Sequence, residues 1–196
     1  TLNTTATGNV AVGAFALDKN TTGANNVGVG WQALTANTTG ACNTAVGTLA
    51  LASNTTAISN TAVGRNALTA NTTGAQNDAF GRNTLDANTT GSNNSGFGAS
   101  ALGSNTTGVN NTAFGYFSLA ANTTADGNTA IGMNALCEHT TTGGDNTAIG
   151  FCAQKSNTTG YYNTSVGKSS MVNVTTGDDN VSIGRNSGSD TMINIT

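Results

Sequence analysis

The sequence predicts an all-β solenoid, a β-roll of about eleven 17-residue coils. Three observations predict it. Asn-Thr-Thr, or a one-residue variant of it, recurs at a 17-residue spacing with one extra residue in the ninth repeat. The segments between the recurring glycines are rich in β-branched residues and too short for stable helices. Finally, there is no proline among 196 residues, as suits a chain that makes ladder hydrogen bonds almost everywhere.

Repeats begin at Asn3, Asn20, Asn37, Asn54, Asn71, Asn88, Asn105, Asn122, His139, Asn157 and Val174, with one extra residue after His139. The consensus is N-T-T-G-x-x-N-T-A-[VFI]-G-x-x-A-L-x-A, and positions 1 to 17 below refer to it. Residues 1–190 therefore read as one tandem-repeat domain. The last segment, 191–196, alternates apolar and polar residues and reads as a capping or donated strand. Thr1 is already in repeat phase, so the chain reads as a processed product or an excerpt of a longer repeat protein.

Taking the columns in order, position 1 is Asn in nine repeats, and position 7 is Asn in all eleven. Stacked on themselves, such columns can form side-chain amide ladders, and Asn also caps local backbone groups in turns. Position 11 is Gly throughout, from Gly13 to Gly184. An obligatory glycine marks a positive φ or a close backbone approach, and the glycine at position 4 marks a second corner. Position 10 is always Val, Phe or Ile, and position 15 is Leu in the first eight repeats. These two columns are expected to form a thin continuous core, with position 8 on the same inward side. Position 9, always Ala, Gly or Ser, is then expected to face outward. Its small size there suggests either tight turn geometry or close packing of another sheet or subunit. Seventeen residues at ~3.3 Å each suffice for two short strands and two turns, and eleven coils stacked ~4.8 Å apart give a rod roughly 50 Å long.

Composition narrows the function. Thr, Asn and Gly make up 92 of the 196 residues. Such bias also occurs in disordered chains, but here the apolar residues keep strict register. With 8% charged residues and a net charge of -3 there is no basic footprint for nucleic acid. No apolar run is long enough for a membrane-spanning helix. No nucleophile–base set, phosphate loop or metal-spaced cluster is evident, so the chain reads as a structural or surface-binding protein without cofactor, not an enzyme. Cys42, Cys137 and Cys152 fall in unmatched columns, which is neither a disulfide framework nor a zinc site. His139 replaces a column Asn and reads as a ladder substitute. Arg65 and Arg82 share position 12 and form a small basic spot. Asp178, Asp179 and Asp190 read as a solvated acidic cap.

The Asn-Thr-Thr tripeptides at Asn3, Asn20, Asn37, Asn54, Asn71, Asn88, Asn105, Asn122 and Asn157 also match the acceptor pattern for N-linked glycans. Occupancy of every coil at ~4.8 Å spacing would crowd the sugars, so a plain Asn ladder competes with this reading. Regular Thr rows raise ice binding as a third function. The two Thr of each repeat are adjacent, however, and adjacent residues of a strand point to opposite sides. Exposed aromatics at variable positions (Trp31, Tyr116, Phe117, Phe151, Tyr161 and Tyr162) are candidate contacts, competing with corner packing between coils. Met192, Ile193 and Ile195 are candidates for assembly.

The segment Asp179-Asn180-Val181-Ser182-Ile183-Gly184 and the recurring N-T-A-V-G resemble the head repeats of trimeric autotransporter adhesins, the YadA-like β-roll. The N-T-T-G-x-x-N-T-A-x-G form also resembles repeats of phage-type tail fibres and bacterial surface proteins. The resemblance covers essentially the whole chain. It implies an extracellular fibre or filament subunit, or an adhesin head that binds host or environmental ligands such as glycans. Such proteins are displayed on a cell or virion surface and often assemble as homotrimers. The 17-residue period is longer than the usual head coil of that family.

Overall fold

Each repeat places three residues, positions 8 to 10, in a short strand between an Asn and a Gly. The computed structural model describes residues 5–138 and 142–189. Eleven such strands follow in order: β1 (Val10–Val12), β2 (Val27–Val29), β3 (Thr44–Val46), β4 (Thr61–Val63), β5 (Asp78–Phe80), β6 (Ser95–Phe97), β7 (Thr112–Phe114), β8 (Thr129–Ile131), β9 (Thr147–Ile149), β10 (Thr164–Val166) and β11 (Val181–Ile183). They form one parallel sheet in sequence order. Register is one-to-one, so Thr61, Ala62 and Val63 lie beside Asp78, Ala79 and Phe80. The chain is a β-solenoid of stacked 17-residue coils, as the repeat predicts.

The second strand expected in each coil does not form. Positions 12 to 17 are turns. There, positions 13 and 15 both adopt left-handed backbone angles, as in Gln32 (φ 56°) and Leu34 (φ 52°), and position 6 does the same, as in Asn25 (φ 58°). These left-handed residues bend the chain tightly enough to close a coil in 17 residues. Hydrogen bonding between coils nonetheless continues around the circumference. Leu34 N–H donates to Ala50 O at 3.1 Å, Ala36 N–H to Ala52 O at 3.1 Å, and Cys42 N–H to Ala24 O at 3.0 Å. The backbone groups of the turns are thus satisfied by the neighbouring coils.

Position 11 behaves as its invariance predicts. These glycines have φ between 123° and 142°. A Cβ on Gly30 would also lie 2.6 Å from the carbonyl oxygen of Gly47 in the next coil. Either constraint alone excludes a side chain.

The core sits opposite to expectation at the strand. Position 9 faces inward, and positions 8 and 10 face outward. Ala45, Ala62, Ala79, Ala113, Ala130 and Ala148 are fully buried, whereas Val12 is 57% exposed and Phe114 55%. The physical reason is the narrow lumen. Inside it, position 9 packs against position 15 and position 14, both of which are buried as Leu and Ala. Even a single methyl can be too much there. A Cβ on Gly96 would lie 2.6 Å from Thr84 Cγ2, where Thr84 replaces the usual Ala of position 14. A Val or Phe at position 9 has no room, so the bulky residues of the strand turn outward. Position 15 is internal as predicted, from Leu34 through Leu136 to Met171.

Two asparagine ladders complete the interior. Along position 1, Asn37 Nδ2 donates to Asn20 Oδ1 at 2.8 Å and to Gly40 O at 2.9 Å. Along position 7, Asn43 Nδ2 donates to Ala57 O at 2.8 Å, and Asn26 Oδ1 accepts the Asn43 N–H at 2.9 Å. Each amide therefore ties its own coil to its neighbours, which is what buried polar groups require. The position 1 ladder runs unbroken to Asn122, whose Oδ1 has no hydrogen-bond partner among the described residues. Towards the C-terminus the core turns polar. Gln154 Nε2 reaches Thr147 O at 3.1 Å, and Ser182 Oγ donates to Ser187 Oγ at 2.7 Å.

Candidate interaction surface

The outward side of the sheet carries two parallel rows. Position 8 contributes Val10, Val27, Thr44, Thr61, Asp78, Ser95, Thr112, Thr129, Thr147, Thr164 and Val181. Position 10 contributes an unbroken apolar column: Val12, Val29, Val46, Val63, Phe80, Phe97, Phe114, Ile131, Ile149, Val166 and Ile183. Every member is exposed or half-buried, up to 71% for Ile183. In-register parallel pairing is what lines them up, because each residue sits beside its counterpart one coil away. The three phenylalanines form a stacked run. Phe80 and Phe97 have ring centroids 4.8 Å apart at 6°, and Phe97 and Phe114 5.2 Å apart at 25°. Stacked this way, the rings present edges rather than faces to solvent.

Position 12 flanks this column across the glycine. Its larger members are Trp31, Arg65, Arg82, Tyr116, Met133, Phe151, Lys168 and Arg185, all exposed. Lys168 Nζ lies 5.5 Å from the centre of the Phe151 ring. Arg65 and Arg82 stand side by side as expected. The exposed apolar column of position 10 is of the kind that marks interaction sites on soluble proteins.

The aromatic residues singled out from sequence do not converge on one patch. Trp31 and Tyr116 share position 12 five coils apart. Tyr116 and Phe117 pack edge-on with centroids 4.4 Å apart. Tyr161 and Tyr162 occupy positions 5 and 6, at another corner, with centroids 6.1 Å apart. The sequence reading missed the position 10 column as a surface, because it assigned the largest apolar residues to the core. The signal that could have found it is the strict smallness of position 9, which marks the inward residue of a narrow coil.

The candidate glycan acceptors Asn20, Asn37, Asn54, Asn71, Asn88, Asn105, Asn122 and Asn157 are all buried. Their side-chain amides belong to the interior, hydrogen-bonded to neighbouring coils or to their own turn. The folded rod has no room for a sugar on these nitrogens. Asn3, His139, Asp190, Met192, Ile193, Ile195 and the 191–196 segment lie outside the described residues.

Titratable groups are sparse. Cys42, Cys137 and Cys152 are free thiols. Burial, reinforced by the Glu138 charge, raises the Cys137 thiol above its ordinary value. Lys155 Nζ pairs with Glu138 Oε1 at 3.3 Å, and this hydrogen bond and charge raise the Lys155 ammonium. Burial also lifts the Asp86 carboxyl, with a backbone hydrogen bond opposing it. Among the described residues no group of three or more His, Cys, Asp or Glu is placed to hold a metal ion, and no helix is long and apolar enough to cross a membrane.

Compared with known proteins, the chain matches no family model, no curated protein and no solved structure.

Proposed function

We propose that this chain is a structural subunit of an extracellular fibre, in which rods lie side by side through the apolar column of position 10. The unbroken exposure of Val, Phe and Ile down one side of the sheet carries this reading. Contacts between neighbouring members of the column stabilise a single rod but leave its outer side in water, whereas a second apolar surface of the same periodicity would cover it. Together with the flanking rows at positions 8 and 12, the column makes a strip ~50 Å long and ~15 Å wide, which approaches the ~800 Å² per partner typical of a stable interface. A second copy of the chain offers that strip at the same coil spacing. The resemblance to trimeric surface adhesins agrees with such lateral packing.

The exposed aromatics at variable positions favour a second reading, an adhesin head whose side faces bind a ligand on a host or environmental surface. The outward Thr-x-Val pairs, such as Thr44 and Val46, also give ice binding a geometry that the adjacent Thr pair lacks. The Phe80, Phe97 and Phe114 block and Asp78 interrupt that row, which weighs for the fibre.

The test is sedimentation and electron microscopy of the purified chain beside the double variant Val63→Asp/Ile131→Asp. The wild type is expected to form side-by-side multimers or bundles. The variant is expected to sediment as a 19.3 kDa monomer with an unchanged far-ultraviolet spectrum. A wild-type chain that stays monomeric at every accessible concentration would sink the proposal. Isolated trimers of fixed length would favour the adhesin head.

A further inference from the structure

The one irregular coil of the solenoid borders a cleft at position 5. At position 5, the coils on either side carry Asp126 and Tyr161, while the coil between them carries Gly144. That coil also holds the inserted residue and a second glycine, Gly143, at φ 96°. A missing side chain between two large ones leaves a notch of about 270 Å³, walled by Thr124, Asp126, Thr142, Asp145 and Tyr161 and floored by the glycine backbone.

The walls are held in place. Asp126 Oδ1 accepts the Val109 N–H at 2.7 Å. Tyr161 N–H donates to Asp178 Oδ1 at 2.8 Å, and Tyr162 N–H to Gly144 O at 3.1 Å. Asp145 N–H donates to Asp126 O at 3.1 Å, which ties the two carboxylate-bearing coils together. Around the notch the charge is acidic. Asp126, Asp145, Asp178 and Asp179 lie at positions 5 and 6 of these last coils. The six Lys and Arg residues of the chain (Lys19, Arg65, Arg82, Lys155, Lys168 and Arg185) lie at positions 12, 16 and 17.

We propose that this notch binds an organic ammonium group, with the Tyr161 ring as its apolar wall and Asp126 and Asp145 as its counter-charges. An aromatic ring beside carboxylates attracts an organic cation even at an exposed site. An anionic ligand would meet the carboxylates of Asp126 and Asp145, and among the described residues no Lys or Arg lines the notch. A bare metal ion would gain nothing from the tyrosine. The same chemistry is offered by a quaternary ammonium, as in choline, and by a primary amine, as in a lysine side chain. The site lies on a different column from the assembly stripe, so it does not depend on the fibre reading.

Isothermal titration calorimetry of the intact chain at low ionic strength tests this with four probes: choline, N-acetyl-lysine amide, glucose and calcium. Saturable heat with choline or the lysine amide is expected, and the stronger of the two identifies the source. Tyr161→Leu is expected to weaken binding about tenfold. Tyr161→Phe should retain it, and Asp126→Asn/Asp145→Asn should abolish it while the far-ultraviolet spectrum stays unchanged. Silence from both ammonium probes would overturn the proposal. So would glucose binding as tightly as they do, or calcium binding that Tyr161→Leu leaves intact.

Discussion

At the scale of single residues, this fold imposes unusual backbone demands. Three positions of every coil adopt the left-handed conformation, and most are not glycine: Gln76 (φ 58°), Asn83 (φ 56°) and Leu85 (φ 52°) serve one coil. Each such L-residue costs about 1 kcal/mol or more. The inter-coil hydrogen bonds and the burial of the position 15 side chain offset that cost. Asp86, one residue beyond Leu85, adds an electrostatic burden. Partial burial between coils holds its carboxyl above the ordinary value. The folded state therefore binds the Asp86 proton more tightly than the unfolded chain does. Stability from this group is fully present below the unfolded carboxylate pKa of about 3.9 and is lost as pH rises through the raised folded value. Asp86→Asn is thus expected to be more stable than wild type at neutral pH. Its advantage should shrink on acidification to below pH ~4. Denaturant midpoints measured across that range check this, and an advantage independent of pH would show that the charge is not the cause.

At the scale of the strand, the decisive fact is parity. Period, corner glycines, the position 15 core and the asparagine ladders could all be read from the repeat, because each is a column in which one physical demand excludes nearly every other residue. Which face of a three-residue strand points inward could not be read by hydrophobicity alone. Moving the strand by one residue exchanges the two faces, and Thr-Ala-Val offers one apolar residue to each side. Hydrophobicity favoured Val inside. Volume decided for Ala, because the lumen already holds a Leu and an Ala from the facing turn. The missing second strand has a related cause. The x-x-A-L-x-A-N-T-T segment carries β-branched Thr as a strand can, but left-handed kinks such as those at Gln32 and Leu34 turn the chain back within 17 residues. This parity predicts opposite outcomes for neighbouring substitutions. Ala62→Val adds two methyls to a fully buried site and is expected to cost about 1–3 kcal/mol by overpacking. Val63→Thr, on the outward side, is expected to change monomer stability by less than about 0.5 kcal/mol. Urea denaturation of dilute, unassembled protein distinguishes the two. The reverse ranking, with Val63→Thr the costlier change, would mean that the strand is read the wrong way round.

At the scale of the whole molecule, each coil meets only its neighbours. Strand order follows sequence order, and element contacts among the described residues join consecutive strands alone. Stability is then a sum of coil and interface terms rather than the property of one three-dimensional core. Removing residues 71–87 tests this directly. The excision deletes one complete coil and brings Asn54 beside Asn88, Asn60 beside Asn94, Gly64 beside Gly98 and Leu68 beside Leu102. Every ladder and column therefore finds a partner of the same kind. Thr84, which crowds Gly96, leaves with the excised coil, and Gly96 then faces the smaller Ala67. The shortened protein is expected to fold, keep its far-ultraviolet spectrum per residue, and lose ~4.8 Å of length by small-angle scattering. Removing only residues 71–79 should instead unfold the chain from that point. It would set position 10 directly after position 17 and put glycine, asparagine and leucine columns out of register with both neighbours. A one-coil excision that unfolds the protein would mean that distant coils support one another, and the additive account of the rod would fail.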